Sequence, residues 1–176
     1  MDFLAKSAQK FWQILPINPT GFGNSPYMSF STMAGNPLLI SLDILKEQGL
    51  LNPEDFGEIP DFPLDEVDFD QVIPWKMPLL ETAFHNFKKT TDSIYFKEFE
   101  GFCRGKAYWL DNYALFMALR YAHQDQPWTQ WPEELRHRHR EALENACREL
   151  GETIYFHKFL QFTFFQQWRN LKRYAN

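Results

Sequence analysis

The sequence predicts an α/β fold in which helix predominates: one strand near the N-terminus, a long loop, then a run of helices. Three observations lead there. Apolar residues recur at three- and four-residue spacing from Asp65 almost to the C-terminus, the period of an amphipathic helix. The run Trp12–Ile17 (WQILPI) is apolar, too short for a helix, and closed by Pro16, which cannot donate to a sheet ladder. Between them lies a stretch to Ile40 rich in Gly, Pro, Asn and Ser, with Phe22, Tyr27, Met28 and Phe30 set into it. A lone strand needs neighbours, so the chain is expected to be part of a larger sheet or barrel.

In chain order, residues 2–10 predict a short helix with Phe3, Leu4, Ala8 and Phe11 on one side. After the strand, Asn18-Pro19-Thr20-Gly21 and Gly21-Phe22-Gly23-Asn24 are turn signals. Ser25 precedes Pro26 and is driven to extended backbone. Ser41 is placed to cap a short helix that ends at Gly49. Asn52-Pro53-Glu54-Asp55 carries the cap, proline and acids of a helix start, limited to a turn or two by Gly57, Pro60 and Pro63.

Pro74 and Pro78 are expected to confine or kink the start of the next helix, which carries Leu79, Leu80, Ala83, Phe84 and Phe87. Thr91 or Asp92 is expected to cap the one after it, and Gly101 and Gly105 to mark a bend before an amphipathic helix over Ala107–Tyr121. Pro132 suits the first position of a helix running through Leu135, Leu143, Ala146 and Cys147. The last helix follows Gly151. It is apolar over so wide an arc, from Tyr155 to Leu171, that it is expected to be covered on more than one side.

Composition excludes several classes. A net charge of −5 and a pI near 5.5 do not fit a general nucleic-acid binder. The basic run Arg136–Arg140 lies among Glu133, Glu134, Glu141 and Glu144 and reads as a solvated helix face. Cys103 and Cys147 form no CxxC, a reduced intracellular pattern that points to the cytoplasm. No stretch approaches the ~20 apolar residues of a membrane span, so no membrane partner is expected.

Catalytic motifs are equally sparse. Gly21-x-Gly23 lacks the third glycine and the Lys-Ser/Thr pair of a phosphate loop. His137 and His139 point to different faces of a helix and make a poor metal pair. His85, His123 and His157 stand alone, and neither cysteine has a histidine at motif spacing. Asp111, inside an apolar helix between Leu110 and Tyr113, reads as a cap or partner for a neighbouring element. Thr20–Tyr27 suits a sugar: a tyrosine ring for the apolar face of a pyranose, with Ser and Asn for its hydroxyls. The competing reading is a tight loop whose rings plug the mouth of a barrel.

WQILPINPTGFGNSPYMSFSTMAGNPLLISLDIL is similar to the signature near the N-terminus of the 4-alpha-glucanotransferases (amylomaltase, disproportionating enzyme), family 77 of the glycoside hydrolases. AYWLDNYALFMALR and FLQFTFFQQWRNLKRYAN resemble the helices that precede that family's third barrel strand.

The resemblance implies a partial (β/α)8 TIM barrel, predominantly α-helical here, with 12–17 as its second strand. Residues 1–40 would hold the first helix, strand and substrate loop, 41–150 a helical insertion, and 151–176 the helix leading to the next strand. It implies transfer of α-1,4-glucan segments between maltooligosaccharides by a retaining double displacement, with two aspartates, one glutamate and no cofactor. Ser25 and Tyr27 would line the acceptor side. Phe22 would occupy the aromatic position of a second glucan site, where the family's tyrosine adds a hydroxyl.

The family's first strand and its catalytic carboxylates match no part of this sequence, and Asp43, Asp61 and Asp111 are not assigned their role. A complete barrel of this kind takes about 200 residues or more with all eight strands. The chain is therefore expected to be an N-terminal fragment, inactive alone. The alternative is a non-catalytic helical module that binds glucan or another partner.

Overall fold

Helices α3 (Phe69–Lys88), α4 (Ile94–Ala122) and α7 (Gly151–Ala175) form the body of the protein. The computed structural model describes residues 1–176, apart from the side chain of Phe22. Four shorter helices complete it: α1 (Asp2–Lys6), α2 (Leu42–Glu47), α5 (Glu133–Arg136) and α6 (Arg140–Glu149).

Helix α7 is the centre. Phe156, His157, Phe159, Leu160, Gln161, Phe162, Thr163 and Phe164 are all buried along it. That matches the wide apolar arc: α4 and α3 cover it on different sides, and the 37–39 turn covers a further part. The core is largely aromatic. Phe87 of α3 meets Phe159 at 4.9 Å and Phe99 of α4 edge-on at 5.2 Å, and Phe99 meets Phe162 edge-on at 5.6 Å. Such pairs each add about 0.5–1.5 kcal/mol beyond the area they bury. A smaller cluster of Leu115, Leu119, Trp131 and Ala146 fastens the 131–146 region to α4.

Several ends form as the local chemistry dictates. Ser41 Oγ accepts the Ile44 N–H at 3.4 Å, and Gly49, at φ +71°, stands just past α2. The Asp55 carboxylate accepts the Asn52 N–H at 2.7 Å in a single 3₁₀ turn. Asp68 opens α3 by accepting from the N–H groups of Asp70 and Gln71.

Other expectations are corrected. Ser93, not Thr91 or Asp92, caps α4, its hydroxyl accepting the Phe96 N–H at 3.1 Å. Helix α4 runs unbroken through Gly101 and Gly105. Each glycine costs roughly 1 kcal/mol against alanine. Phe99 against Phe162 and Trp109 against Phe165 hold α4 to α7 on both sides of the pair. Pro74 and Pro78 do not confine the start of α3, which opens at Phe69 and includes both. The basic run is no helix face: α5 stops at Arg136, Arg138 takes φ +56°, and α6 starts at Arg140. Helix α1 ends at Lys6, short of residue 10, and Ala8 turns to φ +55°.

The strand expected at 12–17 does not form. Trp12, Ile14 and Leu15 are 52%, 40% and 59% exposed, and the one β-bridge among the described residues joins Thr20 to Ser29. The cause is the absence of ladder partners: a strand's N–H and C=O groups need a neighbouring strand. Only the end of the segment is tied down, where the Ile17 carbonyl accepts the Asn36 N–H at 2.8 Å.

Candidate functional site

The loop from Asn18 to Ser41 is shaped from within and gripped from outside. Inside it, the Asn18 side-chain amide donates to the carbonyls of Thr32 at 3.0 Å and Ala34 at 2.9 Å, crossing the loop. The Gly21 N–H donates to the Met28 carbonyl at 2.5 Å and closes a tight turn. Gly21 is required there: a Cβ would lie 3.0 Å from that carbonyl oxygen and 3.5 Å from the Phe30 ring. Gly23 and Asn24 complete the reversal at φ +66° and +53°.

Outside it, two glutamines of α7 hold the loop's returning arm. Gln161 donates to the Gly35 carbonyl at 2.9 Å and accepts its N–H at 2.8 Å. Gln167 does the same at Ser41, at 3.1 and 2.7 Å. At Gly35 the buried glutamine amide pairs both the N–H and the C=O of one residue, so neither is left an orphan donor or acceptor. Lys76 of α3 donates to the Leu38 carbonyl at 2.7 Å, and its burial lowers the amine to about 8.

The sequence-derived site residues fall on the turn of this loop. Ser25 Oγ accepts the Tyr27 N–H at 3.3 Å, a bond local to the turn. Tyr27 is 75% exposed. The third residue, Phe22, has a side chain that lies outside the described residues. Ser25 and Tyr27 are thus brought together on one turn.

Between that loop and helices α3, α4 and α7 runs a cleft of about 750 Å³. Neither Ser25 nor Tyr27 lines it. Its wall includes Thr20 and Asn24 of the loop, with Tyr113 and His157 from the helices. Burial pushes the His157 imidazole down to about 4, so it is neutral at pH 7. The Tyr113 hydroxyl is buried without a hydrogen-bond partner among the described residues, and burial raises its pKa. Sequence reading missed Gln161, Gln167 and His157 as framework. The available signal was a polar side chain inside an otherwise apolar arc of α7, which demands a partner when buried.

Asp111 pairs a neighbouring element, as its position suggested. Lys158 Nζ of α7 lies 2.5 Å from its carboxylate, so this acid is committed to an interhelical ion pair.

The family model described as 4-alpha-glucanotransferase matches residues 1–176. The 4-alpha-glucanotransferase of Synechocystis sp. is 45% identical over 176 residues, covering all of this chain and 35% of that protein. That of Thermus thermophilus is 45% identical over 175 residues, covering 99% and 34%. The solved structure of amylomaltase from Streptococcus agalactiae in complex with acarbose superposes with a TM-score of 0.90 at 36% identity, covering 99% of this chain and 35% of that one. The chain spans about a third of the length of these relatives. With a family match along the whole chain and close agreement in fold, the chain belongs to the 4-alpha-glucanotransferase family, family 77 of the glycoside hydrolases.

Proposed function

We propose that this chain supplies the acceptor-side wall of a glucan cleft in a 4-alpha-glucanotransferase, an enzyme that moves α-1,4-glucan segments between maltooligosaccharides. The observation that carries the reading is the family match across residues 1–176, which takes in the whole loop bearing Ser25 and Tyr27. The exposed ring of Tyr27 suits the apolar face of a pyranose, and Ser25 offers a hydroxyl beside it. Phe22 belongs to the same proposal as the aromatic of a second glucan site. Binding of acarbose by the Streptococcus agalactiae relative supports an oligosaccharide as the ligand class.

In this reading, segment 12–17 becomes a barrel strand when neighbouring strands complete its ladder. The apolar side chains it now exposes then enter the barrel packing. Residues 41–150 form a helical insertion, and 151–176 the helix that returns to the barrel. By the family resemblance, the carboxylates of a retaining double displacement come from other parts of the enzyme; Asp111 of this chain is paired with Lys158. The free thiols of Cys103 and Cys147 fit a cytoplasmic location.

The experiment has two arms. The isolated chain, given maltotriose, is expected to release no glucose and form no longer glucan. The same 176 residues, exchanged for the matching segment of the Thermus thermophilus relative, are expected to retain disproportionation. Turnover by the isolated chain overturns the reading, and so does a folded but inactive exchange enzyme.

A further inference from the structure

Every hydrogen bond of the turn from Gly21 to Ser29 among the described residues stays within the loop. What ties the turn to the helices is the side chain that follows it. Phe30 lies under the guanidinium of Arg120, whose Cζ is 4.2 Å from the ring centroid. That is well inside cation–π range. The same ring meets Phe116 of α4 at 6.1 Å and backs onto Gly21, where a Cβ would come within 3.5 Å of it.

Arg120 is itself held. Its side chain is only 26% exposed, and Nε lies 3.1 Å from the Asp125 carboxylate. Asp125 is folded back by two successive left-handed residues, Gln124 at φ +53° and Asp125 at φ +60°, and its N–H donates to the Arg120 carbonyl at 2.9 Å. A planar guanidinium fixed at its edge by a carboxylate presents its face to a ring. The end of α4 is thus built to hold one aromatic ring of the loop.

We propose that Arg120 is a positioning residue for the acceptor-side loop: oriented by Asp125, it clamps Phe30 and so sets the turn that presents Ser25 and Tyr27 to the glucan. It acts through Phe30 and touches no substrate. The inference rests on the reading of Ser25 and Tyr27 as acceptor contacts.

The test uses the exchange enzyme described above, with Arg120→Met, Arg120→Lys, Phe30→Leu and the Arg120→Met/Phe30→Leu pair, and Tyr27→Ala as reference. Two readouts are taken: acceptor KM and kcat, and amide hydrogen exchange of residues 20–30. Arg120→Met is expected to speed that exchange severalfold and raise acceptor KM three- to tenfold, with kcat changed less than twofold. Arg120→Lys, which keeps a cation over the ring, restores most of the KM. Phe30→Leu matches Arg120→Met, and the pair is no worse than either alone.

Additive effects in the pair overturn the proposal. So does an unchanged exchange rate in Arg120→Met, or an unchanged KM when Tyr27→Ala has raised it. If Arg120→Met does not fold, Phe30→Leu decides: faster loop exchange and a raised KM support the clamp, and wild-type values overturn it. If Tyr27→Ala leaves the acceptor KM untouched while Arg120→Met still loosens the loop, the failure lies in the acceptor reading, and the positioning role falls with it.

Discussion

The side-chain amide of Gln161 pairs with both backbone groups of Gly35, across 126 residues of sequence, at 2.9 and 2.8 Å. Both partners are buried, so each bond is the only alternative to an orphaned polar group. Gln161→Leu, close in volume, leaves the Gly35 N–H and carbonyl unpaired. The expected cost is about 2–4 kcal/mol, from two buried groups at roughly 1–3 kcal/mol each with partial relaxation. Urea denaturation reads it directly. Gln167→Leu is expected to cost less, because its bonds to Ser41 are only partly buried. Equal stability of wild type and Gln161→Leu would remove this pair from the framework.

Gly35 has a second constraint from the same helix. A Cβ there would stand 2.0 Å from Cδ1 of Phe164, inside the ring's own volume. Gly35→Ala is therefore expected to destabilise by at least the roughly 1–3 kcal/mol of an overpacked core. Phe164→Leu in the same background should recover part of the loss. Thermal melts of the single and double variants check this, and full additivity would show that the ring is not the obstacle.

Much of the helical body was legible because apolar spacing repeats over many turns, and α3, α4 and α7 each have buried residues at that spacing. The details that escaped depend on distant partners. Thr91, Asp92 and Ser93 are all capping types, and packing of Phe96 and Phe99 into the core selects the one that starts α4. Gly101 and Gly105 looked like a bend because local propensity disfavours them, whereas the contacts of α4 along α7 keep the helix straight on. Gln161 and Gln167 find their partners 126 residues earlier, a separation no local pattern reveals. The 12–17 segment has strand chemistry, but a strand is a property of two segments, and its ladder partners are absent among the described residues. At the turn, composition marked Thr20–Tyr27 as suited to a sugar and the family resemblance singled out Ser25 and Tyr27, while the contact of Phe30 with Arg120 was hidden because its two partners lie far apart in sequence.

His157 makes stability depend on pH. Its folded-state pKa is lowered from 6.5 to about 4 by burial. Above pH 6.5 it is neutral in both states and has no effect. As pH falls from about 6.5 to 4, the unfolded chain takes up a proton that the folded protein refuses, so stability is lost through that window. At about 1.4 kcal/mol per unit the full loss is roughly 3 kcal/mol. Wild type is expected to lose more stability than His157→Gln between pH 7 and pH 4. Parallel pH profiles for the two proteins would mean that His157 protonates freely when folded.

The central claim is that the loop held by α7 presents Tyr27 to the acceptor glucan. Burying about 50 Å² of apolar sugar face on that ring, at roughly 25 cal/mol per Å², gives about 1 kcal/mol, or a five- to tenfold effect on binding. The most direct measurement is acceptor-dependent disproportionation kinetics of Tyr27→Ala in the exchange enzyme, with glucose and maltose as acceptors. The account predicts an acceptor KM raised five- to tenfold with an unchanged melting temperature. An acceptor KM equal to that of the unsubstituted enzyme, in a folded variant, would contradict it.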